Sequence, residues 1–418
     1  MNSTFKPALR PLEISRYQEG EEQFFHFHDR TGIASEASLN AYLGPILSQM
    51  DGSKTIEELW EFARRLDDQM PKEWLEKLVA DLDENFLLDS PRFQTEKTRF
   101  ENEFNSQTVR ESAYAGLSFP NKAKELKQFL AEKLAVGLDR LPERAYEAKN
   151  VRGIVTPHID FHRGGHVEGA SYLPLVENVR ATEKPFDTLI VFGIAHAGIE
   201  YPFCGANKSF ATPLGIMECD FEFVNDLKTG LGKKFMAEQI VHKAEHSIEF
   251  TAVFCQYFDE LKSTKIVPIL CGGFWESMRT KKRPELVQSE VKKFIKTLRK
   301  VVEKHEAEGK KIGFIASVDG AHVGTQFGDP TPLTTRTLKE IEFGDRKWCA
   351  AIEANDLDAF HTHFADDENR FNVDAHPAVY SILAAFPDLK GQLLDYDQAV
   401  NAPRNIVVSF ASLALFEA

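Results

Sequence analysis

No CxxC pair occurs among the five cysteines of this 418-residue chain, Cys204, Cys219, Cys255, Cys271 and Cys349. Their odd number argues against a disulfide framework or a zinc ribbon, and buried free thiols are expected. Positive charge is also short. The 50 Lys and Arg against 64 Asp and Glu leave a formal net charge of -14, which argues against a broad electrostatic grip on nucleic acid. The basic run Arg279-Thr280-Lys281-Lys282-Arg283 is the local exception and reads as the approach to a solvated helix. No apolar run approaches the roughly 20 residues that cross a bilayer. The first residues lack the basic start and apolar block of a signal peptide, so a cytoplasmic protein without membrane partners is expected. There is no Walker loop, no GxGxxG after a strand, no GxSxG elbow and no HExxH helix.

What is present is a soluble composition, 43% apolar and 27% charged, at a length that fits two or three domains. Residues 1–95 read as a small separate module. Its run Gln23-Phe24-Phe25-His26-Phe27-His28 is a short strand in which Phe25 and Phe27 share one face and His26 and His28 the other. The two histidines read as a partly exposed strand face rather than a metal pair, because no third ligand lies nearby in sequence. Thr55 followed by Glu58 forms a capping box, opening a helix expected to bury Ile56, Leu59, Ala63 and Leu66. A second amphipathic segment carries Leu75, Leu78 and Leu82. Residues 96–111 are mostly polar and read as a linker. From residue 112 onward strands and helices alternate. Strands are expected at 152–157, 188–195, 265–270, 311–318 and 405–410, and helices at 122–138, 246–261, 285–305, 336–352 and 377–386.

The expected class is therefore α/β, with a mostly parallel sheet flanked by helices. Three of its strands end in chemistry-bearing residues: Pro157-His158, Ala195-His196, and Asp319 with His322 after Val318. Carboxyl ends of neighbouring parallel strands converge on one crevice, so such groups can meet although distant in sequence. His158 reads as a metal ligand or catalytic group, and His162 and His166 after it as surface loop histidines. His196, among small residues, is a metal ligand or a satisfied core histidine. In Glu245-His246-Ser247-Ile248-Glu249 the two acids suit the amino end of a helix, while His246 either follows them or turns into the crevice as an acid/base group. Asp319 and His322 form a proton-transfer pair or a turn. Asp374 and His376 complete the site or cap the following helix.

The ordered motifs Ala115-Gly116, Phe119-Pro120, Pro157-His158, Gly193 with His196, Thr212-Pro213-Leu214-Gly215, Glu245-His246-Ser247-Ile248-Glu249, Val267-Pro268-Ile269-Leu270, Asp319 with His322-Val323-Gly324, and His376-Pro377 resemble the Memo family over residues 112–418. That family's fold is similar to the protocatechuate-type extradiol dioxygenases. The resemblance implies a metal held by His158 and His196, with His246, Asp319 and His322 lining the same pocket. The family's usual third ligand, a cysteine, falls here at Val373. Adjacent Asp374 could replace it, giving two histidines and one carboxylate, a set associated with non-haem iron and oxygen chemistry; otherwise the site is impaired. Residues 1–95, chiefly through Asp51-Gly52-Ser53-Lys54-Thr55-Ile56-Glu57-Glu58-Leu59, resemble the winged-helix domain that presents peptides in pyrroloquinoline-quinone biosynthesis. Memo-like proteins of the AmmeMemoRadiSam system occur beside a radical enzyme, which implies such an enzyme or a peptide as partner. The expected function is a metal-dependent, iron-type oxidoreductase. Zinc or copper could stand in place of iron as the metal; the alternatives in function are a zinc or metal-independent hydrolase with His246 or His322 as base, and a metal-free peptide adaptor.

Overall fold

Continuous runs of β-branched and aromatic residues become the centre of one sheet in the computed structural model, which describes residues 4–29, 31–329 and 332–417. The chain divides into two units, one ending at Gln107 and one beginning at Thr108. In the second unit, Val151–Thr156, Ile312–Ser317, Thr188–Ile194 and Lys265–Cys271 lie side by side in that order, all parallel. Almost every residue in them is buried, as strands covered on both faces require.

Alternate side chains feed two cores. Ile190, Phe192 and Ile194 face the helices Phe221–Leu231, Ser289–Ala307, Thr335–Glu353 and Ala375–Ala385. Leu189 and Val191 face Ala123–Leu138, Phe161–Ser171, Leu173–Thr182 and Ser247–Tyr257. Each fully buried large apolar side chain contributes roughly 1.5–3 kcal/mol, so both faces anchor the parallel core.

Antiparallel strands close its flanks, so the sheet is mixed. Phe203–Gly205 pairs with Lys265–Cys271 on one side. On the other, Ile406–Glu417 pairs with Val151–Thr156, His322–Gly324 and Leu389–Asn401. The expected strand 405–410 is thus the start of a longer one, and Leu389–Asn401 is its unanticipated hairpin partner.

The amino-terminal unit is built from the antiparallel strands Glu13–Glu19, Glu22–His28 and Ala37–Asn40, followed by helices. The Thr55 capping box is formed: Thr55 Oγ1 accepts from the Glu58 amide at 3.3 Å, and Glu58 Oε2 accepts from the Thr55 amide at 2.7 Å. Ile56, Leu59 and Ala63 are buried there, with Leu75, Leu78 and Leu82 from Lys72–Glu84. Leu66 lies beyond the end of its helix and is exposed. Most of the polar stretch 96–111 is helix rather than linker. Pro91–Ser106 starts at a Ser90 cap that accepts from the Phe93 amide, and buries Phe93 and Phe104. No helix among the described residues is long and apolar enough to cross a membrane.

Candidate metal centre

Each parallel strand hands its next residues to the carboxyl edge of the sheet. His158 lies two residues past Thr156, His196 two past Ile194, and Asp319 two past Ser317. His246 arrives immediately before Ser247–Tyr257. The three imidazoles meet: ring centroids are 5.1 Å apart for His158 and His196, 5.0 Å for His158 and His246, and 4.7 Å for His196 and His246. One nitrogen from each lies within 4.8 Å of the others.

Hydrogen bonds fix which nitrogen is free. His158 Nδ1 donates to the Ser317 carbonyl at 2.8 Å, which leaves Nε2 with its lone pair. His196 Nδ1 donates to Glu245 at 3.0 Å, leaving Nε2 free in the same way. Metal-binding histidines characteristically give their other N–H to a backbone carbonyl or a carboxylate, which holds the tautomer and the ring orientation.

Glu245 is the organiser that the sequence reading missed, having assigned it to a helix dipole. Its carboxylate accepts from the amides of His196, His246 and Ser247 at 3.1, 2.8 and 3.0 Å. Burial alone would raise this carboxyl, but His196, His246 and these amides hold it well below the usual range. Glu249, also read as a dipole residue, forms a fully buried ion pair with Arg110 and accepts from the Ala113 and Tyr114 amides. Arg110 also donates to the carbonyls of His242 and Glu245 at 2.8 and 2.9 Å, which pins the segment carrying Glu245 and His246. The signal available in the sequence was the pair of acids flanking His246, but their partners lie far away in the chain.

Asp374 stands at the head of Ala375–Ala385 without capping it. Its Oδ1 accepts from the Asp319 amide at 2.7 Å. Its Oδ2 lies 3.2 Å from His158 Nε2 and 3.8 Å from His196 Nε2, and is buried with no aligned donor. Two electron-pair donors facing each other at that distance need a proton or a metal ion between them. Donors sharing an ion at about 2.0–2.2 Å sit about 3–3.5 Å apart; the His158–Asp374 pair lies within that range and the His196–Asp374 pair 0.3 Å beyond it, and the chemistry of the donor set fits a metal.

The charges agree with this. Burial lowers the His158 imidazole, but Asp319 and Asp374 raise it to about 8. Burial likewise acts against His196, and Glu245 with Asp374 raises it to about 10. Burial, with the two other imidazoles beside it, holds His246 well below its ordinary value. The crevice therefore draws positive charge to Nε2 of His158 and His196, and not to His246.

Asp319 is buried, and its Oδ1 accepts from the His158 amide at 3.0 Å. Desolvation raises its carboxyl, against the opposing pull of His158. His322 stands close enough to act electrostatically on Asp319 and Asp374. Its Nδ1 faces the Asn372 carbonyl at 3.1 Å, its ring lies against Phe327, and it makes no hydrogen bond to Asp319. His376 is not among the three clustered imidazoles; its Nε2 lies 3.0 Å from His361 Nδ1, and it lines the cavity beside Asp374. His162 and His166 lie on the helix Phe161–Ser171 rather than in a loop, His162 exposed and His166 bonded to Asp397 at 3.0 Å. Val373 is buried beside the site. All five cysteines are buried free thiols, so no thiolate replaces Val373.

The model of the Memo-like protein family matches residues 110–414. The chain belongs to the Memo family. A MEMO1 family protein of Aquifex aeolicus is 28% identical over 417 residues, covering 98% of this chain and all of that relative. One of Methanosarcina barkeri is 28% identical over 315 residues, 73% of this chain and 99% of its own. One of Pyrococcus furiosus is 26% identical, covering 74% of this chain and all of its own. The Memo match thus takes in every residue of the imidazole crevice and stops short of the amino-terminal unit.

Proposed function

We propose that this Memo protein is a metal-dependent oxidoreductase in which His158, His196 and Asp374 hold one divalent ion, iron by the chemistry of the set. The observation that carries this reading is the buried Asp374 Oδ2, which has no aligned hydrogen bond and faces two imidazole nitrogens whose tautomers are fixed from behind. When bound, such an ion would supply Lewis acidity and, as iron, redox chemistry. The chain's own groups do the rest. Glu245 orients His196, and the Ser317 carbonyl orients His158. Asp319, whose carboxyl burial pushes up against the pull of His158, is placed to exchange a proton beside His158. His246, held neutral by burial, offers an uncharged imidazole beside Glu245 that can hydrogen-bond a substrate. The amino-terminal unit is proposed to hold a peptide or a radical-enzyme partner, supported by its resemblance to a peptide-presenting domain. The five unpaired thiols suit the reducing cytoplasm.

A second reading is favoured by one observation: three imidazoles offer donors within 4.8 Å, and three histidines with an open position suit zinc and a hydrolytic water. Metal analysis of the full chain purified without oxygen separates the two. Iron at about one per chain, lost by at least about 100-fold in affinity in His158→Ala, His196→Ala and Asp374→Ala but kept in His246→Ala, supports the first. Zinc that depends on His246 and not on Asp374 supports the second. A chain that takes up neither metal leaves the adaptor function.

A further inference from the structure

A cavity of about 520 Å³ leads away from His196 and Asp374. Resting on the crevice reading above only for its inner end, we infer that this cavity receives an aryl-alkyl amine, a flat apolar body carrying a cationic nitrogen. Its middle is lined by buried apolar groups, among them Ile194, Phe274 and Met278, enough to cover one aromatic ring.

The outer end has a different chemistry. Trp275 is 70% exposed, although it lines the cavity. Its indole is laid over Gly273, where a Cβ would come within 2.6 Å of Nε1, so glycine is what allows the ring to lie there. Glu200 and Glu276 line the same outer region, both exposed, and neither is engaged in an ion pair. Among the described residues, the lining contains no Lys or Arg. An indole face with two free carboxylates is a recognition set for an organic cation, through cation–π attraction and charge pairing. At the exposed end an anion would meet Glu200 and Glu276 with no lysine or arginine among the described lining residues to offset them. A second group also points to a ligand: His376 is 1% exposed, lines this cavity, and its Nδ1 has no partner. Such a buried polar atom calls for a partner.

The test uses the full chain, both metal-loaded and chelator-treated, titrated with 2-phenylethylamine, 2-phenylethanol and phenylacetate while tryptophan fluorescence is followed. The amine is expected to bind about tenfold more tightly than the alcohol and the carboxylate. That preference should shrink below about threefold in the Glu200→Gln, Glu276→Gln double variant, and Trp275→Ala should weaken the amine by about tenfold while changing the alcohol and the carboxylate by less than about threefold. Phenylacetate binding as tightly as the amine, a preference that survives the double variant, or no saturable binding by any of the three overturns the inference. An amine preference in a chain that takes up no metal would sink the metal reading alone. Metal uptake without an amine preference would sink this inference alone.

Discussion

His26 and His28 lie on a strand of the amino-terminal unit with their side chains 32% and 47% exposed, whereas His158 follows a strand of the Memo unit and is 1% exposed. The first pair meets Ser38 and Glu36, at 3.1 and 3.2 Å, and water can replace either contact. The second meets His196, Asp319 and Asp374 in a crevice that water reaches poorly. An antiparallel hairpin spreads its histidines along one face. Parallel strands instead bring theirs to a single edge, because every strand in the set ends on the same side. Residue type alone thus says little about metal binding; the direction of the neighbouring strands decides it.

The largest expected effect tests the burial half of this contrast at a histidine outside the crevice. His242 is buried, its Nε2 donates to the Cys204 carbonyl at 3.0 Å, and burial lowers it to about 4. The folded chain keeps this imidazole neutral, while the unfolded chain takes a proton below about 6.5. Stability is therefore present in full above pH 6.5 and falls as the pH drops toward 4, by about 3 kcal/mol in all. Urea unfolding of the wild type and His242→Gln across that range measures it. The same slope in both proteins would remove His242 as its source.

Next in size is Glu245→Gln. The amide keeps the shape but loses the charge and half of the accepting capacity toward His196, His246 and Ser247. Metal affinity should fall by about 10- to 100-fold, as is typical when a carboxylate behind a liganding histidine is removed. Calorimetric titration with iron(II) under nitrogen reads this. An unchanged affinity would mean that Glu245 holds the local backbone but not the ligand.

The parallel core was legible because fully buried strands are apolar throughout, as in Thr188-Leu189-Ile190-Val191-Phe192. Leu389–Asn401 was not, because its half-buried face carries Gln392, Asp395 and Asp397 and its register shifts between Leu393 and Asp395. The helix Phe161–Ser171 was hidden by Gly164, Gly165 and Gly169, which weaken helix propensity. Packing explains the first of these, since a Cβ at Gly164 would lie 1.9 Å from Ile159. At the site, His158, His196 and Asp374 could be named from strand ends and a motif. Glu245 could not, because its role rests on His196, a residue 49 positions away, and a local explanation as a helix-end acid was already sufficient.

The smallest expected effect closes the contrast from the exposed side. His26→Ala and His28→Ala remove side chains that water already reaches, and they interact only with Ser38 and the exposed Glu36. Exposed ion pairs of this kind contribute about 0–1 kcal/mol, so each variant should shift stability by less than about 0.5 kcal/mol and leave the metal content of the chain unchanged. Glu36 faces both histidines, so a His26, His28, Glu36 set would be the one way for this hairpin to hold an ion. Metal analysis of the His26→Ala, His28→Ala double variant decides that point. A drop of one ion per chain would show that an antiparallel strand can gather ligands as the parallel edge does, and that strand direction is not what separates the two regions.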